Sequence, residues 1–165
     1  MSYFVINRGP LGVGKTTDSQ CLGSAIGAEY ISIDRILDDQ GLCNDGALSE
    51  FLAANRFAAE RAQVTLSRGR AVGFDGNFYW WDQIDDLLGR LPYPHYAFTL
   101  EAPLAVCTER DSGRIPPHGA EAARLVYEKT MRFDYGIKLD ATRPVDFVVH
   151  EIVSHISADR AGTPR

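Results

Sequence analysis

Near the start of the chain, Gly9-Pro10-Leu11-Gly12-Val13-Gly14-Lys15-Thr16-Thr17 has the spacing G-x-x-x-x-G-K-[ST], in which every residue type has a use around a polyphosphate. Gly9, Gly12 and Gly14 let backbone N–H groups turn inward around a β-phosphate, where a Cβ would block either the backbone angle or the approach of the oxygens. Lys15 supplies a point charge to the β- and γ-phosphates. Thr16 offers a hydroxyl to Mg²⁺, and with Val13, Gly14, Lys15 and Thr17 it stands at a helix start whose positive partial charge favours an anion. The apolar residues 3–7 just before the loop read as a strand, so the order strand, loop, helix is the one this cradle requires. The pattern implies a nucleoside triphosphate as partner.

The elements that must position this loop follow from periodicity and punctuation. A first helix runs from Lys15 to about Ser24 and stops at Gly23 or Gly27. Residues 29–33 alternate and are rich in β-branched residues, which predicts a second strand delivering Asp34 at its C-terminal end. Residues 41–46 form a loop rich in Gly, Asn and Asp. Leu48, Phe51, Leu52, Ala58, Ala59, Ala62 and Leu66 keep helical spacing as far as Ser67, and Gly69 stops the helix. A buried strand over residues 71–74 ends in Asp75-Gly76-Asn77, and the helix after it carries Trp81, Ile84, Leu87, Leu88 and Leu91.

Pro92 and Pro94 close that helix, and residues 96–100 resume a strand. Pro103 suits the first turn of a helix carrying Val106 and Arg110. Residues 111–119, with Gly113, Pro116 and Pro117, read as a loop or small lid, and 120–133 as helix. Residues 136–139 are the last strand. Val145, Val148, Val149, Ile152, Val153 and Ile156 fall at helical intervals behind Pro144, and residues 159–165 read as a loose tail.

Strands alternating with helices predict an α/β architecture of three layers, with a parallel sheet between helices. Ligands of such sheets bind outside the carboxyl ends of the strands, which singles out residues 9–16, Asp34-Arg35, Asp75-Gly76-Asn77 and Glu101.

The 165 residues are the size of one domain, read as residues 1–158. Hydrophobic content of 45% and charged content of 24% are globular averages, which exclude disorder and membrane classes. No apolar run spans a bilayer and residues 1–6 lack the basic flank of a signal peptide, so a cytoplasmic chain is expected. Three cysteines, Cys21, Cys43 and Cys107, lack C-x-x-C spacing and read as buried thiols rather than a disulfide framework or zinc site. A net charge of −5 disfavours a long nucleic-acid partner without excluding a local basic groove.

With these residues in view, the chain resembles the small P-loop kinases, the group of shikimate and gluconate kinases, adenylate kinase, chloramphenicol phosphotransferase, zeta toxins and polynucleotide kinase. The nucleotide loop carries the resemblance, with Ile31-Ser32-Ile33-Asp34, the strand ending in Asp75-Gly76, and the segment 107–114, which is similar to a helix-to-lid pattern E-R-x-x-x-R. The resemblance implies a five-stranded parallel sheet in the order 2-3-1-4-5 with a lid over the triphosphate. It implies transfer of the γ-phosphoryl of ATP to an alcohol, without naming the acceptor. It also places Asp75 as a Walker B residue holding a water of the Mg²⁺ shell, against a simple strand-end turn. Arg110 would stack on adenine and Arg114 would reach the transferring phosphate, against surface ion pairing of both.

Asp34 is the candidate to receive the acceptor's proton, against a helix cap for residues 35–37; similarly placed aspartates in chloramphenicol phosphotransferase and polynucleotide kinase support the first reading. The catalytic set is then Lys15, Asp34 and Arg114. Arg35, Asn77 and Tyr79 are the acceptor candidates, with Asn55 and Arg56 as outer ones, and the amide and aromatic faces of residues 77–80 suit a neutral hydroxylated or ring-bearing molecule. Trp81 is expected to seat the following helix. Residues 140–143 are a candidate adenine-contact loop, and Arg124, Lys129 and Arg132 read as solvent-side charges.

The chain departs from adenylate kinase after Asp75-Gly76, where a substrate-gripping arginine is missing, which weighs against a nucleoside monophosphate acceptor. Within kinases, a 5′-hydroxyl polynucleotide kinase is the near alternative. From another class, an ATP-binding regulatory module with slow hydrolysis is the rival.

Overall fold

The computed structural model describes residues 2–43 and 45–162. Five strands alternate with helices: β1 (Phe4–Arg8), α1 (Lys15–Ile26), β2 (Glu29–Ser32), α2 (Ile33–Asp39), α3 (Leu48–Ser67), β3 (Val72–Gly76), α4 (Trp81–Arg90) and β4 (His95–Glu101). α5 (Leu104–Ser112), α6 (Ala120–Thr130), β5 (Ile137–Asp140) and α7 (Val145–Gly162) complete the described chain. All pairings are parallel and the sheet order is β2-β3-β1-β4-β5, as the resemblance implies.

The central strands β1 and β3 are buried at every position, because a parallel sheet covered on both faces has no solvent side. One face packs Phe4, Ile6, Ile31 and Phe74 against α2, α3 and α4. The other packs Val5, Phe98 and Leu100 against Leu22 of α1 and Val148, Ile152 and Ile156 of α7. In α3 the buried residues Phe51, Ala54, Ala58, Ala62 and Leu66 recur every three to four positions; the stripe read from the sequence agrees at Phe51, Ala58, Ala59, Ala62 and Leu66, whereas Leu48 and Leu52 are only half-buried. No helix among the described residues is long and apolar enough to cross a membrane.

Several details differ from the sequence reading. β2 stops at Ser32, whose Oγ accepts the Arg35 N–H at 3.3 Å and so caps α2. Asp34 therefore sits in the first helical turn rather than at a strand end, and the cap it was weighed for belongs to Ser32. α5 continues to Ser112, which takes Asp111 out of the lid loop and into a helix, while α6 ends at Thr130. α7 remains helical to Gly162, past the expected loosening at Asp159, and residues 163–165 lie outside the described residues. Of the thiols only Cys107 is buried, whereas Cys21 and Cys43 are exposed.

Asn55 and Arg56 belong to the scaffold rather than to an acceptor wall. The buried Asn55 amide donates to Gln83 O at 2.7 Å and Asp86 Oδ2 at 3.0 Å, tying α3 to α4, while Arg56 is exposed beside Phe57. Replacing Asn55 with Ala removes both hydrogen bonds that tie α3 to α4, at about 0.5–1.5 kcal/mol each. The expected result is a melting temperature several degrees lower with nucleotide affinity unchanged, measured by thermal denaturation and nucleotide titration.

Candidate active site

β1 ends beside the loop, and two glycines give the loop its shape. Gly12 has φ +79°, and a Cβ there would lie 2.1 Å from Cys107 O; Gly14 has φ +116° and is the N-cap of α1 without any side-chain cap. The first bond of the helix is Asp18 N–H to Gly14 O at 3.0 Å, so the amides of residues 15–17 precede the ladder and are free to face an anion. Lys15 is buried and its Nζ donates to Pro10 O at 2.9 Å and Asn77 Oδ1 at 3.0 Å. Burial lowers its pKa below the usual lysine value, opposed by the charges of Asp34 and Asp75 and reinforced by Arg114.

The register of β1, β2 and β3 sets Asn7, Ser32 and Asp75 side by side. Asp75 is buried, and its Oδ2 accepts the Thr16 hydroxyl at 2.9 Å. Its Oδ1 is buried with no hydrogen-bond partner. An orphaned carboxylate oxygen beside a threonine hydroxyl is a hard oxygen donor set that suits Mg²⁺ together with phosphate oxygens. Among the described residues no cluster of three His, Cys, Asp or Glu could hold a metal, so nucleotide oxygens and water would complete such a shell. Tyr30 of β2 also reaches Asp75 and Thr16, and burial, then Asp75, pushes its phenol up to about 12. Nothing in its spacing marks it as a site residue.

Asp34 is half-buried opposite Lys15. Burial raises its pKa, opposed by Lys15 and reinforced by Asp75 and Asp38. Asn77 bridges the two sides: besides accepting from Lys15, its Nδ2 donates to the Tyr79 hydroxyl at 2.9 Å. Burial and Asp34 both raise the Tyr79 pKa. Thus Lys15, Thr16, Asp34, Asp75, Asn77 and Tyr79 converge at one end of the sheet. Arg35 does not join them, being exposed and paired with Asp39 at 3.8 Å.

The aromatic run divides differently from expectation. Phe78 is fully buried with φ +48° and anchors the segment in the core, whereas Trp81 is 48% exposed and rests on Phe133 and Tyr135. Lys129 was read as a solvent-side charge; it is half-buried over the rings of Tyr79 and Trp80.

On the nucleotide side, Arg110 Nη1 donates to Val13 O and Ala141 O, both at 2.9 Å, joining α5 to the loop and to the segment after β5. Val13, Gly14, Thr17, Asp18, Arg110 and Arg143 line a half-open cleft of about 240 Å³. Its buried acid, Asp18, was not anticipated; burial pushes it up to about 6, opposed by Arg110. Arg114 lies close enough to Lys15 to repel it, with Nε 3.9 Å from Asp111 Oδ1.

A family model described as an AAA domain matches residues 4–133. The chain belongs to the AAA domain family. Solved structures extend the likeness to the whole fold. A gluconokinase from Sinorhizobium meliloti 1021 superposes with a TM-score of 0.74 at 16% identity, covering 93% of this chain and 91% of its own. The Mycobacterium tuberculosis APS kinase CysC, in complex with AMPPNP and APS, gives 0.77 at 13% identity over 94% and 98%. Shikimate kinase from Aquifex aeolicus vf5 gives 0.64 at 14% identity over 99% and 100%. No curated protein sequence matches the chain. The AAA domain chain described here therefore has the fold of the small P-loop kinases, in agreement with the resemblance read from its motifs.

Three contacts tie the loop after α5 back to that helix. Asp111, buried at the end of α5, accepts the His118 and Gly119 amides at 3.0 Å each and lies 2.9 Å from His118 Nδ1, closing the loop over residues 113–119. Burial alone would raise the Asp111 pKa, but the hydrogen bonds from His118 and Gly119 outweigh it and hold the carboxyl below its ordinary value. A carboxylate with a depressed pKa stabilises the fold above its unfolded pKa, and that contribution is lost as pH falls through the folded one. Asp111→Ala should raise amide exchange across residues 113–119 about tenfold or more, and wild-type protein should show the same loosening below about pH 4. Hydrogen exchange read by mass spectrometry checks both.

Proposed function

We propose that this protein is an ATP-dependent phosphotransferase that moves the γ-phosphoryl group of ATP to an alcohol of a small molecule. The observation that carries the reading is Asp34: a carboxylate, half-buried across from Lys15, that is not a helix cap. The attacking alcohol oxygen forms the new bond to γ-phosphorus, the bond to the β–γ bridging oxygen breaks, and ADP leaves. The alcohol proton passes to Asp34. A raised pKa makes that transfer less uphill, because the carboxylate is a stronger base than a solvated one.

Lys15 and the free amides at the start of α1 hold the β- and γ-phosphates, with Gly9, Gly12 and Gly14 as the cradle. Thr16 and Asp75 would hold Mg²⁺, which supplies charge neutralisation on the phosphates. Arg114 compensates charge as the lid settles, and Asn77 fixes the Lys15 ammonium while Tyr79 faces the acceptor. The cleft beneath Arg110 takes the nucleoside, with residues 140–143 as its far wall. The exposed thiols of Cys21 and Cys43 suit a reducing cytoplasm.

The test is a transfer screen with γ-labelled ATP and Mg²⁺ against pools of nucleosides, sugars, hydroxy acids, antibiotics and 5′-hydroxyl oligonucleotides. Label should enter one small-molecule pool. Label in the oligonucleotides would make this a polynucleotide kinase, and free phosphate released equally in every pool would make it a regulatory ATPase.

Asp34→Asn should bind ATP nearly normally and lose acceptor phosphorylation by ~10²-fold or more. Its stability should move the other way. Ionised Asp34 costs the fold stability above its raised pKa, and the cost is relieved as pH falls through that value, so the Asn variant should melt higher at neutral pH. Unchanged transfer by this variant would remove Asp34 from the chemistry. Lys15→Met should abolish ATP binding, read by titration calorimetry.

A further inference from the structure

On the acceptor side of the site, the Lys129 ammonium of α6 lies 4.6 Å from the Tyr79 ring centroid and 4.4 Å from that of Trp80. The two rings stand edge to face at 5.4 Å, and Phe51 of α3 packs against both, at 5.5 and 5.1 Å. The bracket is thus anchored in the core and cannot turn aside. Tyr79 connects it to the reaction centre through Asn77, which holds Lys15. One aromatic ring separates Lys129 from the groups proposed to transfer the phosphoryl.

The charge balance around Lys129 is unusual for this acidic chain. Arg124 of α6 pairs with Glu121 and Glu128, and Lys138 of β5 with Glu101 and Asp134. Among the described residues no carboxylate forms an ion pair with Lys129. Burial lowers its pKa, and the charge of Arg132 lowers it further. An ammonium over ring faces is held by their quadrupoles, and an N–H donor not engaged by a ring is left to meet an anion. The ammonium covers one face of each ring, so the feature offered to an acceptor on that side is a cation.

We propose that Lys129, held over Tyr79 and Trp80, binds an anionic group of the acceptor, which is then a hydroxylated carboxylate or phosphate ester rather than a neutral alcohol. This inference rests on the kinase reading above and replaces the neutral acceptor expected from residues 77–80. Arg132 adds a second positive charge at the same rim.

Matched pairs that differ in the anion test it: glycerate against glycerol, gluconate against glucose, and glucose 6-phosphate against glucose, each with labelled ATP and Mg²⁺. The expected result is transfer to an anionic member with kcat/KM at least about tenfold above its neutral partner, the carboxylate and ester arms telling which anion is read. Lys129→Met should raise KM for that acceptor about 10- to 100-fold, as loss of a charge-assisted hydrogen bond does, with kcat within a few-fold and ATP affinity unchanged. Lys129→Arg should recover most of it. Equal use of neutral members, or an unchanged KM in the Met variant, overturns the proposal.

If no member of any pair is labelled, the kinase reading fails on these acceptors and the anion site is judged separately. Calorimetry with the loop filled by a non-hydrolysable ATP analogue then follows glycerate, gluconate and glucose 6-phosphate. Millimolar or tighter binding that Lys129→Met removes supports the site, and absence of binding by all three overturns it.

Discussion

A lysine ammonium held out of water at the end of a parallel sheet sets the terms for everything around it. Buried charge is tolerated only where hydrogen bonds and opposite charges replace lost hydration. Lys15 has both, from Pro10 O and Asn77 Oδ1 at hydrogen-bond distance and from Asp34 and Asp75 as neighbouring carboxylates. Each of those groups comes from a different place in the chain. The loop, the turn after β3 and the first turn of α2 must all meet at the C-terminal edge of the sheet, and the order β2-β3-β1 is what brings them there.

The same edge carries a second buried cation with a different purpose. Arg8, one residue before the loop, is fully buried, and its Nη1 donates to Thr99 Oγ1 and Phe133 O, each at 3.2 Å. Its Nη2 donates to Thr130 O, and the guanidinium lies 4.4 Å from the Phe133 ring centroid. These acceptors include the carbonyl of Thr130, the last residue of α6, where a positive charge complements the helix dipole. Burial lowers the Arg8 pKa to about 10, opposed by Asp134 and Glu101, so the group stays charged at neutral pH. Arg8 thereby locks the root of α6 to the strand that carries the loop, and α6 brings Lys129 over Tyr79 and Trp80.

Two walls of unlike character result. The wall proposed for the nucleoside, with Arg110, Arg143 and Asp18, is polar and partly open. The wall proposed for the acceptor is built on Tyr79 and Trp80 packed against Phe51, with the half-buried Lys129 ammonium over them. The loop over residues 113–119 is stapled by Asp111, a contact between neighbours in the chain.

What the sequence determined by itself was local. A glycine pattern with a lysine, apolar runs of period two or 3.6, and prolines and glycines at their ends placed the nucleotide loop, the span of α3 and five strands, because those signals arise from backbone sterics and solvation along one segment. The same reasoning passes over Arg8 and Tyr30 and misassigns Asn55 and Lys129, which are an ordinary arginine, tyrosine, amide and lysine until a distant element faces them. It also misjudged Trp81 and the aromatic run, since which ring turns inward depends on Phe133 and Tyr135 more than fifty residues away. Burial, pairing and pKa are properties of neighbours brought together across the chain, and only the tertiary structure decides them.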